Sequence, residues 1–147
     1  MYALLRLARN RKNLTNGRVF ILTFNHTNLK NLVVKLNKDQ LRAGLTSDNA
    51  FMPIYSQVSV EKFGKSPGRW TLFDTGETYD TFKVVNVTEE AIIEFADLDI
   101  HGVDLQEKVK SFGEILGIDD KSSEILINEA LPIMRDIILS TLLDGID

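Results

Sequence analysis

The chain has no cysteine and only two histidines, His26 and His101. The absence of cysteine excludes a disulfide framework and a thiolate nucleophile, so packing, oligomerisation or both must hold the fold together. The two histidines are too few and too isolated in the sequence for a metal site or a Ser-His pair. Each of them is expected at the surface or in a turn.

Long apolar runs are also missing. Residues 1–9 interrupt a short apolar segment with Arg6 and Arg9, which excludes a transmembrane span and makes a poor signal-peptide core. We therefore expect synthesis in the cytoplasm and no membrane partner. The 147 residues, 44% hydrophobic and 26% charged, are typical of one ordinary globular domain covering residues 1–147.

Two ligand-binding patterns are incomplete. Gly64-Lys65-Ser66 lacks the upstream glycine that a phosphate-binding loop requires. Asp97, Asp99 and Asp104 form an acidic cluster, but the regular spacing and central glycine of a calcium loop are absent, so solvated acid is the better interpretation. The sequence predicts no cofactor, no metal and no catalytic residue.

Charge is distributed very unevenly along the chain. Residues 1–70 contain 12 Lys and Arg against 3 Asp and Glu, whereas residues 71–147 contain 5 against 18. A basic surface of this kind can meet nucleic acid, or it can meet the acidic surface of an identical neighbour in a head-to-tail ring. Alternatively, the two halves fold together and neutralise each other within one monomer.

The N-terminal part of the sequence favours helices. Apolar spacing predicts a short amphipathic helix over residues 2–12, ended by Asn13, Asn16 and Gly17, and a longer one over 27–41, capped by Thr27 or Asn28. Between them, residues 19–24 are either a strand or a buried segment under a helix, because so short an apolar run does not reveal its period. Residues 44–68 are rich in turn signals and predict a long loop or arm, with a short helix or strand over 55–63.

The C-terminal part favours a hairpin followed by helices. Residues 82–88 and 91–96 flank Glu89-Glu90 as two antiparallel strands would. A one-sided apolar stripe predicts a helix over 105–116, and residues 123–143 predict a last helix, with Asp119, Asp120 or Ser122 as its cap and a kink or break at Pro132. The class is α+β: a small antiparallel sheet, with its hairpin at about 82–96, packed with N-terminal helices and a long, proline-interrupted C-terminal helix.

The triad Asp74-Thr75-Gly76 allows two interpretations. Retroviral-type aspartic proteases use this triad, and one copy per chain suits a dimeric enzyme in which two carboxylates share a proton. Those enzymes, however, have Ala or Ser after the glycine and a mostly β chain, whereas Glu77 follows here. The alternative is a structural turn in which Asp74 or Thr75 caps a helical turn, and Tyr79 and Phe82 enter the core. We expect the structural turn.

A family resemblance centres on the same region. The order of Asp39-Gln40-Leu41-Arg42-Ala43-Gly44, a Pro-x-Tyr-Ser turn at 53–56, a Lys/Gly loop and residues 71–82 resembles small virion proteins of Bacteroidetes-infecting phages, including crAss-like ones. The segment Phe112-Gly113-Glu114-Ile115-Leu116-Gly117-Ile118 and its following helix are similar to the end of those proteins. More loosely, the chain resembles the phage virion-morphogenesis and tail-completion family.

The resemblance implies a structural protein of the virion, made in the host cytoplasm, without enzymatic activity. It implies a copy in a homo-oligomeric ring at the head-tail junction, in contact with portal, neck or tail proteins. A basic face of such a ring would line the DNA channel and make non-specific DNA contacts. The candidates for this face, or for a subunit interface, are Arg6, Arg9, Arg11, Lys12 and Arg18. A small nucleic-acid-binding protein that uses the basic half stays an alternative.

Overall fold

The computed structural model describes residues 10–12, 14–73 and 76–144. Its helices and strands give an α+β fold with a small antiparallel sheet and a long C-terminal helix, as the sequence predicts. In chain order the elements are α1 (Asn16–Phe24), α2 (Thr27–Arg42), α3 (Gln57–Phe63), α4 (Glu77–Thr81), β1 (Lys83–Val87), β2 (Ile92–Phe95), β3 (Asp99–Ile100), β4 (Val103–Asp104), α5 (Leu105–Val109) and α6 (Asp120–Leu143).

The first helices differ from the prediction at their boundaries. Residues 10–12 are helical, and the rest of the helix expected over 2–12 lies outside the described residues except for Leu14 and its neighbours, which are not helical. Asn16 and Gly17 begin α1 instead of ending a helix, because Thr15 Oγ1 accepts a hydrogen bond from Arg18 N at 3.1 Å and caps the new helix. The strand alternative for residues 19–24 is therefore wrong.

Helix α2 confirms the predicted helix over residues 27–41. It begins after His26, which occupies the N-cap position expected for Thr27 or Asn28, and it ends at Arg42 shortly before Gly44. Its buried side chains follow one another at helical spacing along the whole element. These are Leu29, Val33, Leu36, Asn37, Gln40 and Leu41.

The predicted hairpin is confirmed as strands β1 and β2. They pair antiparallel, with Lys83 opposite Phe95 and Val87 opposite Ile92, and the register shifts between Val84 and Asn86. A second, two-residue antiparallel pair is formed by β3 and β4.

Apolar side chains form two core clusters along α2. The first brings α1, α2, β1 and α6 together through Phe24, Leu29, Val33, Leu36, Val87, Leu126 and Ala130. The second, at the other end of α2, consists of Leu41, Met52, Tyr79, Phe82, Ala96, Val109 and Ile115. Helix α2 therefore belongs to both clusters and connects them.

The helix predicted over residues 105–116 is shorter than expected, since α5 ends at Val109. Beyond it, the side chain of Gln106 donates to Gly113 O at 3.1 Å and accepts from Ile115 N at 2.9 Å, replacing helical hydrogen bonds. The fully buried Asn37 Nδ2 donates to the carbonyls of Ile115 and Gly117. These side-chain bonds hold the segment in a non-helical path.

Helix α6 confirms the predicted terminal helix and starts at Asp120. Asp119 is its cap, with Oδ1 accepting from Ser122 N at 2.7 Å. The helix runs through Pro132 without a break in its assignment. Pro132 and Asn128 are both exposed, so water can hydrate the Asn128 carbonyl that proline leaves without an N–H donor.

We expect Asn37→Ala to lower the free energy of unfolding by roughly 1–3 kcal/mol, because the two carbonyls of Ile115 and Gly117 would lose their buried donor. Urea denaturation measures this change. Asn128→Ala, at an exposed position of α6, is the control and should stay within about 0.5 kcal/mol of the wild type. An Asn37→Ala protein as stable as the control would contradict the role assigned to this amide.

Glu94 is the buried titratable group of the hairpin. Among the described residues its Oε1 atom has no hydrogen-bond partner. Burial raises the pKa of the Glu94 carboxyl to about 7, and the backbone N–H of Gly117 opposes part of that rise. The folded chain thus keeps a proton that the unfolded chain releases, so the free energy of unfolding falls as the pH rises from about 4.5 through 7.

Glu94→Gln should remove this pH-dependent loss. At pH 8 we expect the variant to be more stable than the wild type by on the order of 2–3 kcal/mol, and at pH 5 nearly equal to it. Denaturant unfolding at both pH values measures the difference. Glu90→Gln, at the exposed turn of the hairpin, is the matched control. A Glu94→Gln effect of equal size at pH 5 and pH 8 would rule out titration as its cause.

Candidate interaction surface

The triad at residues 74–76 lies at the start of α4. Asp74 and Thr75 are outside the described residues, and Gly76 occupies the N-cap position with a φ of 92°, in the left-handed region. Tyr79 and Phe82 are buried in the second core cluster, as the sequence predicts. The Tyr79 hydroxyl donates to the Thr71 carbonyl.

Glycine is required at position 76 by both its backbone and its surroundings. A Cβ atom there would lie 3.2 Å from Phe73 Cε2. We expect Gly76→Ala to cost about 1–2 kcal/mol of unfolding free energy, because an L-residue is strained at this φ, as measured by thermal and urea unfolding. Asp74→Asn should cost less, whereas a catalytic role would make Asp74 the less replaceable of the two.

An apolar groove of about 360 Å³ lies beside this turn. We call it the apolar groove. It brings together the end of α3, the segment before α4, and the region of β4 and α5. It is lined by Tyr55, Ser59, Phe63, Lys65, Trp70, Leu72, Phe73, His101, Val103, Leu105 and Lys108.

Short-range structure in residues 44–68 builds one wall of the groove. Helix α3 is capped by Ser56, whose Oγ accepts from Ser59 N at 3.2 Å, and it ends at Gly64. An isolated bridge joins Ile54 to Arg69. The predicted loop or arm therefore folds back on the domain and places the exposed Phe63 at the groove.

The opposite wall rests on the second core cluster. Trp70, Leu72 and Leu105 pack against that cluster with part of their surface and line the groove with the rest. Tyr55 and Trp70 have ring centroids 6.0 Å apart, and the Lys108 ammonium lies 5.8 Å from the Trp70 ring centroid. The wall is therefore anchored in the core, and a cation lies over its indole.

A second, cationic pocket of about 390 Å³ adjoins the groove. Tyr55, Lys65 and Phe73 line both. Arg69 donates to Met52 O at 2.9 Å, and Arg42 donates to Asp39 at 3.3 Å. Among the described residues, no Asp or Glu lines either the groove or the pocket. The combined surface is apolar and positively charged.

Helix α6 carries an apolar stripe on its solvent side. With 100° per residue, Ile125, Pro132, Leu139 and Leu143 fall within about 40° of one another, and we call them the helix stripe. All four are exposed, and the exposed Glu129 and Asp136 lie close to the same direction. Leu126 and Ala130 on another side of the helix enter the first core cluster. The stripe is therefore apolar, acidic at its margin, and turned away from the core.

The predicted basic residues lie elsewhere. Arg11, Lys12 and Arg18 are exposed, and none of them lines the apolar groove or the cationic pocket. Arg6 and Arg9 lie outside the described residues. The sequence therefore identified surface cations but not the surface that is concave.

The histidines and the acidic cluster have local structural roles. His26 is at the N-cap position of α2, and His101 lines the groove with a φ of 52°. The three aspartates each accept a backbone N–H of their own turn: Asp97 from Asp99 at 3.2 Å, Asp99 from Gly102 at 3.0 Å, and Asp104 from Glu107 at 3.1 Å. Within the described ranges, no group of three or more metal-ligating side chains converges.

Four ion pairs are local in sequence. They are Lys35–Asp39, Arg42–Asp39, Lys110–Glu107 and Arg135–Asp136, each joining residues at most four positions apart. These pairs therefore neutralise charge within one half of the chain and leave the opposite charges of the two halves in place.

Sequence reasoning missed the groove, although it singled out Trp70. The missing signal was spatial, because the lining residues come from several separate segments. In the part of the chain that the structure describes, none of the helices combines the length and apolar content needed to cross a bilayer. A scan against protein-family models, a search of curated proteins and a search of solved structures each find no match to this chain.

Proposed function

We propose that this chain is a structural protein of a tailed-phage virion, a head-tail connector, neck or tail-completion subunit that assembles with itself into a ring between portal and tail. One observation carries the proposal: the chain presents two different apolar surfaces to solvent, the apolar groove and the helix stripe. The resemblance of residues 39–82 and 112–118 to small phage virion proteins supplies the virion context, the head-tail location and the portal or tail partners.

Exposed apolar surface of this extent is typical of proteins that associate. Large apolar side chains face solvent on α3, on the outer face of β2 and along α6, and they belong to a folded domain with two buried clusters. A monomer would leave this surface in water at a cost of about 25 cal/mol per Å². Self-association would cover it.

The charges support the same proposal. The groove and its neighbouring pocket are lined by Arg42, Lys65, Arg69 and Lys108, whereas Glu129 and Asp136 lie beside the helix stripe. Two unlike surfaces on one chain favour head-to-tail association, which closes into a ring when the rotation per subunit allows it. The exposed Arg11, Lys12 and Arg18 stay available for non-specific contact with DNA in the channel of such a ring.

The two alternatives have weaker support. A dimeric aspartic protease needs Asp74 beside its symmetry copy, and the left-handed Gly76 at a helix start fits a structural turn instead. A simple DNA-binding monomer would use the exposed cations but would give no role to the groove or the stripe.

The solution mass of the purified chain tests the proposal. We expect sedimentation velocity and mass photometry to show concentration-dependent assembly into one closed stoichiometry larger than a dimer. Quantitative mass spectrometry of purified particles should find several copies per virion. A chain that stays monomeric at every concentration and is absent from particles would refute the proposal, and a dimer with peptidase activity lost in Asp74→Asn would support the protease.

A further inference from the structure

We infer that the apolar groove of one copy binds the helix stripe of the next copy. This inference rests on the proposed self-assembly and identifies the two surfaces that would form its repeating contact. An amphipathic helix in an apolar groove is a recurrent mode of recognition, in which anchors one or two turns apart fill the groove. Ile125, Pro132 and Leu139 have that spacing, at intervals of seven residues.

The groove and the stripe belong to different ends of the molecule. The wall formed by Trp70, Leu72 and Leu105 packs on the second core cluster. Leu126 and Ala130 anchor α6 in the first cluster, so the stripe faces away from the core that supports it. The contact is therefore between copies rather than within one chain.

Charge complementarity selects the stripe as the occupant. The groove is lined by Lys65 and Lys108, with His101 beside them, and the described part of its lining contains no carboxylate. The stripe is flanked by Glu129 and Asp136, both exposed. Docking would bring opposite charges to the margin of an apolar contact, which favours this partner over an apolar segment of like charge.

The other exposed apolar face of α6 provides a matched control. Leu139 is 48% exposed and Leu131 is 52% exposed, and Ile125 and Ile127 are 43% and 53% exposed. Ile127 and Leu131 point about 120° away from the helix stripe. A pair of substitutions on either face therefore changes residues of the same type and similar exposure, but only one pair affects the stripe.

The groove offers a matched control on α3. Phe63 is 73% exposed and lines the groove, whereas Val58, on the same helix and 53% exposed, does not line it. Phe63→Glu would place an acid where the acidic margin of the stripe docks. Val58→Glu would place the same charge on the same short helix outside the contact.

The experiment uses full-length chains and sedimentation velocity. Both Phe63→Glu and the double variant Ile125→Glu with Leu139→Glu should weaken assembly by at least about tenfold, whereas Val58→Glu and Ile127→Glu with Leu131→Glu should assemble like the wild type. Circular dichroism establishes that each variant is folded. The single Trp70 lines the groove, so its fluorescence should shift to shorter wavelength on assembly and stay unshifted in both disruptive variants.

Mixing the two disruptive variants tests the direction of the contact. Each variant keeps one intact surface, so an equimolar mixture should form a heterodimer with one intact groove–stripe contact and assemble no further. The inference is overturned if the wild type assembles but the folded variants on the 127/131 face disrupt it instead, or if the mixture stays monomeric. A wild-type chain that never assembles would refute the proposed function itself, so the two failures are distinguishable.

Discussion

Two buried side-chain amides on α2 hold the segment that connects the two halves of the core. Asn37 donates to the carbonyls of Ile115 and Gly117, and Gln40 donates to Gly117 and accepts from Asp119 N at 2.8 Å. Ile115 is part of the second core cluster, and Asp119 is the cap from which α6 enters the first. The same few bonds therefore fix the end of one cluster and the start of the helix that completes the other. Because these groups are buried, losing a donor would leave carbonyls without any partner, including water.

This amide contact has a consequence for the surface. Since α2 spans both clusters, the wall of the apolar groove and the buried face of α6 are fixed relative to one another through α2 and the 115–119 segment. The groove and the helix stripe are then presented by a core that is already packed, and association would not have to order them first. A subunit whose two contact surfaces have a fixed relative direction is what a closed ring requires, because the rotation between neighbours must be the same at every contact.

Elements with their own local signals were predictable from the sequence. The hairpin at 83–95 and the terminal helix followed from alternation, apolar spacing and the cap at Asp119, and no tertiary contact opposes them. Residues 19–24 were ambiguous because a six-residue apolar run has no readable period, and the decisive signal was the cap at Thr15. The helix over 105–116 was overestimated because its last turns give up their hydrogen bonds to Asn37 and Gln106, which no pattern within that segment reveals. The groove could not be predicted either, since its residues come from distant segments, although Trp70 marked the region.

The apolar content of α6 then has an explanation in the arrangement of charge. A helix with isoleucine and leucine on several sides would also allow two stripes, or two grooves, to meet in a symmetric dimer. Glu129 and Asp136 would face their own copies in a stripe–stripe contact, and Lys65 and Lys108 would face theirs in a groove–groove contact. Like charges across an interface are unfavourable, so both symmetric pairings are disfavoured and the groove–stripe contact is the one left with opposite charges. The uneven distribution of charge along the sequence would in this way direct the apolar surfaces into head-to-tail assembly.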